Sequence, residues 1–126
     1  VVVAGHVAAV AVEAKVLEAF GPTVGEKREG TTSNQLLRLE YLHHLLKVEH
    51  FDSSIRYQLL HRTASAILTA QDFHAKVAVM LVHAFATPAN RQSDFIDFCR
   101  AMGAIEMHPN LFKVPAFSEP VLYLAW

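Results

Sequence analysis

Val10–Phe20 reads VAVEAKVLEAF, and the alternation of its side chains decides the fold. The run of small and β-branched residues predicts a strand over Val7–Val16. Successive strand side chains point to opposite faces, so Glu13 and Lys15 share one face, about 7 Å apart along the chain. The alternate set, Val10, Val12, Ala14 and Val16, is expected to pack into the core. Upstream, Val1–Ala4 reads as the remnant of a preceding strand, with Gly5-His6 as a hairpin turn. An acid and an amine are the only charges on this apolar strand, and they mark the candidate site.

Phe20-Gly21-Pro22-Thr23 stops the strand, and Val24–Thr32 reads as a solvated loop carrying the charged run Glu26–Glu29. Ser33 or Asn34 caps a helix to about Lys47, with Leu36, Leu39, Leu42 and Leu46 at helical spacing. His43 and His44 are adjacent, so they diverge on a helix and make a poor metal pair. Asp52-Ser53-Ser54 begins a second helix ending near Ala70, with Ile55, Leu59, Ala66 and Ala70 on one face. Its polar stripe is Gln58, Arg62 and Ser65, with His61 beside it. Lysine and glutamate, the usual surface fillers, are missing from that stripe, a composition suited to binding an anion or phosphate.

Lys76–Phe85 is apolar on both faces and is expected at the middle of a sheet covered by helices, with His83 as a hydrogen-bonded core histidine. Thr87-Pro88 breaks that strand. Asn90–Met102 is an amphipathic helix stopped by Gly103. Ala104–Met107 and Leu111–Val114 read as short strands, and Val121–Trp126 as the last. The order predicts a single α/β domain over residues 1–126 with a mixed central sheet.

With 52% hydrophobic and 18% charged residues, the chain has the balance of a folded domain, not of a disordered one. Apolar runs such as Val7–Val12 fall far short of a bilayer span, and no signal peptide is expected. Cys99 is the only cysteine; it excludes an internal disulfide, reads as a small core residue, and suits a reducing cytoplasm. A formal net charge of −1 argues against strong nonspecific DNA binding, so any nucleic-acid contact must come from locally gathered cations.

Phosphodiester hydrolysis needs neutralised phosphate charge and an activated water, which a carboxylate-held magnesium and a neighbouring lysine can supply. Strand, E-x-K, helix, buried strand and helix in this order resemble the PD-(D/E)XK phosphodiesterase superfamily. EAKVLEAFGPTVGE, RYQLLHRTASAI, AVMLVHAF and LYLAW together resemble a small bacterial family assigned to it, over most of Val7–Trp126. The resemblance implies a three-layer, restriction-endonuclease-like α/β fold, a mixed central sheet flanked by helices, with the first helix of that fold missing from an N-terminally shortened chain. It implies that Glu13 binds magnesium, that the Ala14 carbonyl completes the shell, and that Lys15 positions water. It further implies that Gln58 is the glutamine directed at the active site, that His61 and Arg62 contact phosphate, and that Glu18 is an extra acidic metal ligand. Where the superfamily carries an aspartate upstream of E-x-K, Val1–Val12 has no acid; His6 is the candidate substitute.

The expected activity is therefore magnesium-dependent cleavage of DNA. Two other classes fit the same residues. One is a catalytically inactive relative that binds or assembles, a homodimer formed through exposed strand edges being expected. The other is an enzyme acting on an anionic small molecule through Gln58, His61 and Arg62.

Overall fold

The computed structural model describes residues 1–30, 32–86 and 88–126, and the side chains of all of these except Val3. Thr31 of the expected loop and Thr87 of the expected Thr87-Pro88 break lie outside the described residues. The elements in chain order are β1 (Val2–Val3), β2 (His6–Lys15), α1 (Val24–Glu29), α2 (Ser33–Leu46), α3 (Tyr57–Asp72), β3 (Val77–Ala84), α4 (Ala89–Ala101), β4 (Ile105–His108), β5 (Leu111–Ser118) and β6 (Val121–Ala125). Strands β2 to β6 make a mixed sheet, extended at one edge by the two residues of β1; the order is β1-β2-β3-β6-β5-β4. The centre is parallel: β3 lies between β2 and β6, with Glu13 opposite Val82 and Met80 opposite Leu124. Strands β5 and β4 add antiparallel on the far side.

Register fixes which residues form the core, because every second position along each strand shares a face. Ala9 opposite Ala78, Met80 opposite Leu124 and Val114 opposite Leu122 are all buried on one face. Helix α3 lies on that face over β2 and β3, with α2 against it. Helix α4 joins the same layer, its Phe95 ring 5.8 Å from Phe112 and 5.5 Å from Trp126, while Phe98 meets Phe51 at 6.1 Å. Full burial of side chains such as Met80, Leu122 and Leu124 contributes roughly 1.5–3 kcal/mol each.

The face carrying Val10, Val12, Val79, Leu81 and Tyr123 is the open one. Val10, Val12 and Val16 are 39%, 47% and 49% exposed, which reverses the expectation that the Val10–Val16 set packs into the core. The covered face takes Glu13 and Lys15 instead, since α3 brings polar side chains to meet them. Strand β3 is accordingly buried on one face and half-buried on the other, and His83 is exposed, tilted against Phe85 at 4.2 Å, not a core histidine. The α/β class and the mixed sheet flanked by helices are as expected.

The segment read as a solvated loop holds helix α1. Thr23 and Glu26 close a capping box: Glu26 N–H donates to Thr23 Oγ1 at 3.2 Å, and Thr23 N–H donates to Glu26 Oε2 at 2.7 Å. Such reciprocal bonds satisfy two N-terminal donors at once. Gly25 lets the helix approach its neighbour, because a Cβ there would fall 2.9 Å from Ser53 Cβ. Helix α3 starts at Tyr57, later than the sequence pattern suggests, because Asp52 closes a turn on Ser54 first.

Candidate functional site

The site lies where the end of β2 meets the first two turns of α3. Strand alternation directs Glu13 and Lys15 toward the helix layer, and their i, i+4 spacing puts Gln58 and Arg62 on the helix face that meets them. Glu13 Oε1 accepts from Gln58 Nε2 at 2.5 Å and pairs with Lys15 Nζ at 3.0 Å. Glu13 Oε2 is gripped by Arg62 through Nε and Nη2, both at 2.9 Å. Glu13 and Lys15 are buried, at 6% and 4% exposure, and the Lys15 ammonium also stands 5.4 Å from the Phe20 ring centroid. A buried charge of this kind is tolerated because it is both paired and hydrogen-bonded.

The outer sides of the same residues line a pocket of about 500 Å³. Lys15 from β2 and Gln58, His61 and Arg62 from α3 line it together with Phe20, Gly21 and Pro22; Lys27 from α1, Arg38 from α2 and Tyr57 from α3 complete it. The loop after β2 is held firmly. Arg56 donates to the Gly21 carbonyl at 3.0 Å while pairing with Asp94 at 3.1 Å, and Tyr57 N–H donates to the Pro22 carbonyl at 3.1 Å. Gly21 adopts φ +70°, which a residue with a side chain rarely takes. Lys27 Nζ sits 5.3 Å over the Tyr57 ring, and the Tyr57 and His61 rings lie 6.4 Å apart at 28°. Four cationic side chains, Lys15, Lys27, Arg38 and Arg62, thus line one pocket, and among the described residues no carboxylate joins them in its lining. The nearest negative charge is Glu13, behind it.

The structure therefore gathers Glu13, Lys15, Gln58 and Arg62 in direct contact, with His61 on the same pocket. It uses Glu18 differently: the carboxylate turns onto its own backbone and accepts the Val16 N–H at 3.3 Å. Backbone N–H groups of Glu18 and Val16 hold its pKa below the ordinary carboxylate range, with the charge of Lys15 acting in the same direction. His6 stands at the opposite end of β2, seven residues or about 23 Å from Glu13 and on the other face, so it cannot replace a missing acid there. The Lys15 carbonyl accepts the N–H of Phe85, the residue after β3, at 2.8 Å. Alternate strand carbonyls point to opposite edges, so the Ala14 carbonyl faces away from β3. Lys27 and Arg38 were not singled out by the sequence. The Thr23-x-x-Glu26 capping signal was the clue to Lys27, since it converts a loop into a helix that fixes where Lys27 points.

Magnesium can be tested against this donor set. The ion takes oxygen ligands, usually from one or two carboxylates with several waters. Here both oxygens of the single carboxylate are occupied by an amide, an ammonium and a guanidinium, and two of those donors carry positive charge. Among the described residues no group of three or more His, Cys, Asp or Glu side chains could hold a metal ion. As arranged, these residues do not fit magnesium. Among the described residues, no helix is long and apolar enough to cross a membrane.

A family model described as a domain of unknown function (DUF6946) matches residues 2–126, and the chain belongs to that family. No curated protein and no solved structure matches it.

Proposed function

We propose that this is a restriction-endonuclease-like domain whose pocket at the end of β2 binds phosphate, in a nucleic acid or a nucleotide, without a metal. The observation that carries the reading is the convergence of Lys15, Lys27, Arg38 and Arg62 on one pocket, with Glu13 behind them as their common counter-charge. Guanidinium and ammonium groups gathered in a partly enclosed site favour a multiply charged anion over a single carboxylate, which one arginine already satisfies. Glu13 serves this arrangement by holding Lys15 and Arg62 in place. The hairpin, E-x-K strand, helices and parallel strand follow the order that the superfamily resemblance implies, which supports the fold assignment.

The nuclease reading has one specific observation in its favour. Gln58 is aimed at Glu13, as the resemblance implies, and Lys15 and Gln58 both border the pocket. The two readings separate in one experiment. The purified chain is titrated with inorganic phosphate and with a short single-stranded oligonucleotide in EDTA, then incubated with plasmid DNA in Mg²⁺ or Mn²⁺. Phosphate binding in EDTA that is lost in Arg62→Ala, with no cleavage in either metal, is the expected result. Metal-dependent cleavage abolished by Lys15→Ala would replace this reading with the nuclease.

A further inference from the structure

The pocket is not made of cations alone, and phosphate by itself leaves half of it unused. Lys15, Lys27, Arg38 and Arg62 contribute the charged part of its lining. The same lining includes flat and apolar surface: the Tyr57 and His61 rings, 6.4 Å apart at 28°, with Ala19, Phe20 and Pro22 of the loop that follows β2. Lys27 covers one face of the Tyr57 ring, and His61 is exposed to solvent. A volume of about 500 Å³ lies within the roughly 300–1,000 Å³ of small-molecule sites, whereas a duplex backbone would need an open groove with cations along it.

We propose that the ligand is a single nucleotide unit, a phosphomonoester carrying a nucleoside, with its phosphate among Lys15, Lys27, Arg38 and Arg62 and its base stacked on the His61–Tyr57 wall. The inference rests on the phosphate-binding reading and adds the second half of the ligand. Bases stack on aromatic rings with little sequence preference because each has a π face, so the wall selects a nucleotide over a bare anion without dictating the base. The same unit occurs as a free nucleoside monophosphate or as the 5′-phosphorylated end of a strand, and the chemistry recognised is common to both.

Isothermal titration of the full chain in EDTA tests this with four probes: inorganic phosphate, adenosine, adenosine 5′-monophosphate and a 5′-phosphorylated trinucleotide. The monophosphate is expected to bind about tenfold or more tighter than phosphate, as one stacked base implies, and adenosine not measurably. His61→Ala, at an exposed position, is expected to reduce monophosphate affinity several-fold more than phosphate affinity, removing the preference between them. Tighter binding of the trinucleotide assigns the unit to a strand end, and equal or weaker binding assigns it to a free nucleotide; both support the proposal. Phosphate binding with no preference for the monophosphate, or equal losses for both in His61→Ala, overturns the nucleotide assignment alone. Failure of phosphate and monophosphate together overturns the phosphate-binding reading with it.

Discussion

Replacing Glu13 by glutamine removes the one negative charge that Lys15 and Arg62 share, and the structure says how costly that should be. The Lys15 side chain is only 5% exposed, so its ammonium cannot turn to water when the carboxylate is gone; Arg62, at 35%, can. Breaking a buried ion pair by removing one partner costs about 3–5 kcal/mol, because a desolvated charge is left behind. The arginine adds little, since water screens its half-exposed guanidinium. Glutamine also presents an amide N–H₂ to donors that previously met oxygen. A loss of about 3–5 kcal/mol is a large share of the roughly 5–15 kcal/mol that holds a domain together. For a chain of this length it corresponds to a fall in Tm of about 10–20 °C. Thermal unfolding followed by circular dichroism reads it directly. Lys15→Met should be milder, because it removes the buried charge itself. The double variant Glu13→Leu/Lys15→Met should lose less than the sum of Glu13→Leu and Lys15→Met, since replacing both partners of a buried pair by apolar groups is often nearly neutral. If Glu13→Gln leaves Tm unchanged or raises it, Glu13 is not the counter-charge of Lys15. A carboxylate held ready for a cation would then be the better account.

Three further outcomes follow from burial and packing. Val12→Lys, on the open sheet face, should change stability by no more than about 0.5 kcal/mol, whereas Met80→Ala on the covered face should cost about 2–5 kcal/mol; a large loss at Val12 in chemical denaturation would mean that a second copy or another layer covers that face. Burial pushes the pKa of His43 below the usual histidine value, against the opposing hydrogen bond of its Nδ1 with the Val48 carbonyl at 3.1 Å, with Arg28 and His50 adding to the depression. The folded chain thus binds that proton more weakly than the unfolded one, so its contribution is intact above about pH 6.5 and stability declines as pH falls through that value; a denaturation profile between pH 7 and 5 that His43→Gln does not flatten would refute this. Burial, with Glu106 adding, pushes the Cys99 thiol up to about 12, so an aromatic disulfide reagent at pH 8 should label Cys99 only after unfolding, and rapid labelling of the native chain would contradict its place in the core.

The strands and the main helices were legible because hydrophobic periodicity reports them directly: β2, β3, β6, α2, α3 and α4 all fall within a few residues of their expected bounds. Which face of β2 is covered was not legible. The residues Val10, Val12 and Val16 and the residues Glu13 and Lys15 alternate correctly in either orientation, and hydropathy alone favours burying the valines. What reverses the choice is non-local: Gln58 and Arg62 approach from α3, more than forty residues later, and make burial of the acid and amine tolerable. Helix α1 was missed for a different reason. Its six residues carry four consecutive charges and almost no apolar periodicity, so the cap signal at Thr23 and Glu26, which the sequence reading did not use, was the local mark of it.

The same arrangement explains how a chain of nearly zero net charge can present a strongly positive pocket. Charge is sorted by position here. Glu26 is committed to capping α1, Glu18 to its own turn, and Asp94 to Arg56. Lys27 and Arg38 reach the pocket from separate helices, and Lys15 reaches it from the sheet. Glu13 is the exception, and its position behind the pocket wall gives it a definite role. Without it, Lys15 and Arg62 would repel each other across the end of β2; with it, they are held at fixed places along the pocket. A carboxylate so placed weakens the pull of the pocket on an anion while fixing where Lys15 and Arg62 stand. That is the physical basis for preferring anion recognition at this E-x-K strand, and it makes the Glu13→Gln measurement a test of binding as well as of folding. If the variant stays folded, its phosphate affinity should fall even though one negative charge has left the site, because positioning is lost while net attraction rises. An increase in phosphate affinity would show that charge, not order, governs the pocket.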